Sequence, residues 1–126
     1  LARSNALAPN RVAETALTAL KENNEKRVFE LGSDNFKKVS TEAQVKTVVN
    51  QWSKVITQAT DGKPELVSKQ QYAKDNKMLT DLVYKYDVQP GKSKINQKEL
   101  YIRVILEKVD SNYKLHTFNI DTKKKE

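Results

Sequence analysis

Around "TDGKP", residues 60–64, the hydrophobic period of this chain changes, and that change limits the available folds more than any other feature. Before it, apolar residues recur at helical spacing; after it, they alternate as they do along strands. Helices first and then strands that neighbour one another in sequence predict an α+β architecture. N-terminal helices would cover one face of a four-stranded antiparallel meander, whose apolar face meets the helices and whose polar face meets water.

The helical half contains three candidate helices. In "APNRVAETALTALKENN", Val12, Ala16, Leu17 and Leu20 share a face, Pro9 suits a first turn, and Asn23-Asn24 ends the run. "EKRVFELG" follows, with Val28, Phe29 and Leu31 apolar, an asparagine as cap and Gly32 as stop. The third carries the strongest signal: Thr41 and Gln44 form a capping-box pair. Behind them Val45, Val48, Val49, Trp52, Val55, Ile56 and Ala59 make one stripe, with Trp52 expected as a core anchor at its centre.

In the second half, "ELVSKQQY" is a mostly polar strand. "MLTDLVYKYDV" sets Leu82, Tyr84, Tyr86 and Val88 against Asp81, Lys85 and Asp87. "ELYIRVILEKV" sets Leu100, Ile102, Val104 and Leu106 against Tyr101, Arg103, Ile105 and Glu107. "YKLHTFNID" closes the set, with either His116, Phe118 and Ile120 or Tyr113, Leu115 and Thr117 toward the helices. Turns fall at "KDNK" (74–77) and "DSN" (110–112), and "QPGKSKINQK" (89–98) reads as an exposed arm. Residues 1–122 read as one domain and 123–126 as a charged tail.

The chemistry is constrained mostly by what is missing. There is no cysteine, so thiolate nucleophiles, disulfides and most zinc sites drop out. Gly32, Gly62 and Gly91 are too far apart for a phosphate-cradling loop, and no H-E-x-x-H or G-x-S-x-G occurs. No catalytic set, cofactor site or metal site is expected. The net charge of +7 comes from 23 basic residues against 16 acidic ones, but only Arg3, Arg11, Arg27 and Arg103 are arginine. Dispersed lysines attract polyanions loosely, so no specific nucleic-acid site is expected.

His116 is the lone histidine and the obvious general-base candidate, with Tyr84 and Tyr86 as possible pocket companions, although a bonded sheet residue is the commoner fate of such a histidine. Tyr101 and Ile105, beside Arg103, are apolar residues on the polar face of their strand. Together with Gln89, Pro90 and Gly91 of the arm they form the expected protein interface. No apolar run reaches the ~18 residues needed to span a bilayer. The chain starts at Leu1 without a methionine, so a processed product or excised domain with an upstream membrane anchor is expected.

The order of "ALTALKENNEKRVFELGS", "VVNQWSKVI" and a meander ending "ELYIRVILEKVDSNYKLHTFNI" resembles the nuclear-transport-factor-two-like superfamily over most of the chain, and the resemblance implies a cone-shaped fold, N-terminal helices packed on a curved four-stranded antiparallel sheet. Within it, the closest likeness is to the VirB-eight-like domain of type IV secretion and conjugative-transfer machines. Members of that branch often carry an Asn-Pro-x-Gly loop; "VQPGK" departs from it in Gln89 and in the direct Pro90-Gly91 step. The resemblance implies a non-catalytic scaffold on the extracytoplasmic side of the cell membrane of a Gram-positive bacterium. Its implied partners are other channel proteins, copies of itself, and the membrane through an N-terminal anchor. The alternatives are a small-ligand or isomerase-like pocket protein of the same fold, and a secreted or lipid-anchored domain.

Overall fold

The structure, a computed structural model, describes residues 8–89 and 99–123. Four helices, α1 (Pro9–Lys21), α2 (Glu25–Glu30), α3 (Asp34–Val39) and α4 (Glu42–Ala59), precede four strands, β1 (Glu65–Lys74), β2 (Lys77–Asp87), β3 (Glu99–Val109) and β4 (Asn112–Lys123). The strands pair antiparallel in chain order, β1-β2-β3-β4. The α+β class and the helix-then-meander order are therefore as the period change predicts.

Local signals explain most boundaries. Asn24 accepts from the Arg27 amide at the start of α2, and the Thr41–Gln44 capping box is fully formed at α4. Asp75 and Asn76, at φ of 52° and 63°, make the two-residue turn between β1 and β2, a backbone that short polar side chains tolerate. The short helix α3 is additional to the three expected. Ser33 caps it by accepting from the Phe36 amide, but six residues with Phe36 buried and Val39 78% exposed give no periodic stripe to detect.

The inner faces of the strands hold Leu82, Tyr84 and Tyr86 from β2 and Leu100, Ile102, Val104 and Leu106 from β3, all buried. α1 lies against them through Val12, Ala16, Leu17 and Leu20, reaching β2, β3 and β4, while α4 packs on α1 and α2. The seam of α4 is narrower than its apolar stripe. Val45, Val49, Ile56 and Ala59 are buried, whereas Val48 is exposed. Trp52 is half-buried at the core margin rather than at its centre, because an indole is rarely enclosed completely. Buried Ser53 joins the seam instead, donating its hydroxyl to the Lys21 carbonyl at 2.8 Å.

β1 is exposed along its whole length. Among the described residues no helix is long and apolar enough to cross a membrane.

Candidate functional site

The lone histidine occupies a break in the sheet register. Ile105 faces Thr117 and Leu106 faces Leu115, so His116 is the extra residue of a bulge in β4. That bulge resolves the open question of facing: Leu115 is fully buried, and Phe118 and Ile120 pack against the core on the inner side as well. His116 Nδ1 stands 3.0 Å from Glu107 Oε1, with the glutamate side chain 5% exposed and the imidazole 30%. Burial pushes the Glu107 carboxyl up, but hydrogen bonds from Ser33, His116 and Asn35 outweigh it and hold it below the ordinary carboxylate value. An ionised Glu107 accepts, so Nδ1 of His116 carries the proton in this pair.

Ser33 and Asn35 arrive there because residues 31–33 run alongside β4. Leu115 donates its amide to the Leu31 carbonyl at 2.7 Å, and Ser33 donates to the Leu115 carbonyl at 2.8 Å. The expected placement of Glu107 on the solvent face is thus corrected: it is buried beneath the corner between α2 and α3. Sequence alternation missed Glu107, Ser33 and Asn35 as a group, since neither the bulge nor the corner leaves a periodic trace.

The interior of the cone is filled. The space between α1 and the inner strands amounts to about 10 Å³, lined by Leu17, Leu20, Val104, Leu115 and Phe118 among others. Tyr84 and Tyr86 do come together, lining a lateral cleft of about 470 Å³ with Glu14 and Lys21 of α1 and with Leu66. His116 lines neither space, so the expected trio is split. Burial, then the nearby Glu14 carboxylate, pushes the Tyr84 phenol up to about 12. Burial, then Tyr84, raises that of Tyr86.

Among the described residues the Tyr84 hydroxyl has no hydrogen-bond partner although it is buried. Such a group costs roughly 1–3 kcal/mol in desolvation. Tyr84→Phe is therefore expected to leave stability unchanged or raise it by up to ~1 kcal/mol, the reverse of an ordinary buried truncation. Urea unfolding of the two proteins measures this; a clear loss would mean the hydroxyl has a partner.

The outer face of the sheet is a mixed surface. Tyr101 Oη donates to Glu99 Oε1 at 2.9 Å, and this bond with Glu99 raises the phenol above its usual value. Arg103 Nε stands 3.1 Å from Asp81 Oδ1 as a charge pair without the alignment of a hydrogen bond. Lys85 Nζ lies 3.7 Å from Glu99, 3.9 Å from Asp87 and 3.9 Å from Glu65. Attraction to Asp87 leads the effects that raise its pKa.

Tyr101, Arg103 and Val83 border a depression of about 480 Å³ that continues over Asn119 and Asp121. Ile105, half-buried, sits between Asp81 and Thr117 on the flanking strands. Gln89 is exposed, and its amide donates to the Ala59 carbonyl at 2.6 Å, tying the end of β2 to that of α4. Pro90 and Gly91 lie outside the described residues. Among the described residues no group of His, Asp and Glu is arranged to hold a metal ion.

No family model matches the chain, and no curated protein matches it. Solved structures are similar to it. A designed protein, Rd1NTF2_05 carrying five substitutions, superposes with a TM-score of 0.54 at 9% identity, covering 89% of this chain and 95% of its own. The fold is the NTF2-like cone. A DUF4783 family protein from Bacteroides ovatus superposes with a TM-score of 0.51 at 11% identity, covering 88% of this chain and 94% of its own. At such identities the likeness concerns the NTF2-like backbone alone. Within that backbone, this chain has a closed interior, a lateral cleft and a buried Glu107–His116 joint.

Proposed function

We propose that this NTF2-like chain is a non-catalytic association domain that binds protein through the outer face of its sheet. The observation that carries the reading is the contrast between the filled centre of the cone and the outer face of the sheet. The space among Leu17, Leu20, Val104, Leu115 and Phe118 amounts to only about 10 Å³, whereas the outer face offers a depression of about 480 Å³ with Tyr101 and Arg103 at its border. Half-exposed aromatic and aliphatic residues set among charges suit protein contact, since aromatic and arginine anchors supply most of the energy of an interface.

The finer reading is an extracytoplasmic scaffold of a type IV secretion or conjugative-transfer channel in a Gram-positive bacterium, attached to the membrane upstream of this segment. It assembles with itself and with other channel proteins. Its support is the likeness of element order to the VirB-eight-like domain.

The double variant Tyr101→Ala, Ile105→Asp tests the surface. Truncating an aromatic anchor and placing a charge beside it should weaken self-association about 100-fold, equivalent to ~3 kcal/mol. Light scattering across a concentration series, with circular dichroism to verify folding, reads this directly. A variant that assembles like the parent protein removes the outer face from the proposal.

A further inference from the structure

We propose that the lateral cleft between α1 and the β1–β2 side of the sheet binds a small α-amino acid with an apolar side chain. Its ammonium would be held by the Glu14 carboxylate and the Tyr84 phenol oxygen, and its carboxylate by Lys21. This site lies on the opposite side of the sheet from the association surface, and the inference does not depend on that reading.

Three observations converge on this chemistry. The first is the orphaned phenol: Tyr84 is 2% exposed, lines the cleft, and has no partner for its hydroxyl oxygen among the described residues. Buried polar groups are nearly always hydrogen-bonded, so an unsatisfied one lining a cleft of about 470 Å³ marks a position for a polar ligand atom.

The second is charge. Glu14 and Lys21, two helical turns apart on α1, present opposite charges from one face of the helix. Neither side chain enters an ion pair among the described residues. Glu14 and Tyr84 line the same cleft, and the Glu14 charge adds to burial in raising the Tyr84 phenol. The Lys21 ammonium lies close over Gly62 in the same cleft, where a Cβ would meet Nζ at 2.6 Å. An anion held by Lys21 and a cation held by Glu14 together describe a zwitterion.

The third is the apolar wall. Leu17, Pro64 and Leu66 line the same cleft, and Leu66 is 37% exposed on β1. These surfaces suit a hydrocarbon side chain of leucine or phenylalanine size, which gains by burial against them.

Backbone amide NMR of the full chain, titrated with L-phenylalanine and L-leucine, tests the site. Two one-charge analogues, phenethylamine and 3-phenylpropionate, serve as comparison probes. The amino acids should give saturable shifts at Thr18, Gly62 and Leu66, and each analogue should bind at least about tenfold more weakly, the equivalent of ~1.4 kcal/mol. Lys21→Met should abolish the preference over phenethylamine, and Glu14→Gln the preference over 3-phenylpropionate. Tyr84→Phe should weaken binding while the fold stays intact. The proposal is overturned if neither amino acid gives saturable shifts, if the shifts fall outside the cleft, or if phenethylamine binds as tightly as L-phenylalanine.

Discussion

Replacing Glu107 by alanine is expected to destabilise the fold by about 3 kcal/mol, far more than an average substitution on a strand. The carboxylate is 5% exposed and accepts from His116 at 3.0 Å, while Ser33 and Asn35 also bond to it. Alanine leaves these donors without an acceptor in a place water reaches poorly, Ser33 itself being 1% exposed. Glu107→Gln retains shape and one acceptor oxygen and should lose about 1 kcal/mol.

The charge is visible through pH. The carboxyl is held below its ordinary value of 4.5 in the folded chain, so the unfolded chain takes up a proton first as acid is added. The contribution is complete above the unfolded pKa and fades as pH falls from there through the lower, folded pKa. Urea midpoints of the parent protein should therefore drop across that acid window, and those of Glu107→Gln should drop less. Parallel acid limbs in the two proteins would show that Glu107 is not the charged centre of the joint.

Phe36→Ala should be at least as damaging, at about 3–5 kcal/mol. Phe36 is 3% exposed and lies between two other rings, its centroid 6.4 Å from that of Phe29 and 6.4 Å from that of Phe118. It is the one buried side chain of α3, so its loss opens a cavity and also frees the helix from the sheet. Against a typical total stability of roughly 5–15 kcal/mol the variant approaches the folding threshold at 37 °C. Phe36→Leu keeps much of the volume and should recover more than half of the loss, as read from denaturant midpoints. Equal losses for the two variants would show that ring contacts rather than volume hold α3.

Both residues belong to the part of the molecule that hydrophobic periodicity describes least. The regular elements were legible because repeated burial leaves repeated apolar residues. The twofold alternation of Leu100, Ile102, Val104 and Leu106 accounts for the buried residues of β3 apart from Glu107, and Thr41 with Gln44 marks the start of α4. α3 was not legible, because a six-residue helix needs only one buried side chain. The environment of Glu107 was hidden for another reason. A single inserted residue at His116 shifts the register of β4, and an alternation rule cannot register an insertion whose opposite strand is unknown.

The candidate sites divide in the same way. Tyr101, Arg103 and Ile105 could be placed on the outer face because β3 is regular there, and Tyr84 and Tyr86 on the inner face because β2 is. That Glu107 would meet an imidazole from β4 and a hydroxyl from a helical corner depends on contacts between distant segments, which no local pattern encodes.

The alignment of residues 31–33 with Leu115 also bears on how the molecule comes together in time. Every pairing within the sheet joins strands adjacent in the chain, so the meander can zip up through short loop closures. The Gly32–Leu115 bridge joins segments far apart in the sequence and runs parallel to β4; it closes a much longer loop than any strand pairing does and is rewarded only after the sheet exists. The α2–α3 corner should thus dock after the rate-limiting barrier. Loosening it at Glu107 or Phe36 should accelerate unfolding while leaving the refolding rate nearly unchanged.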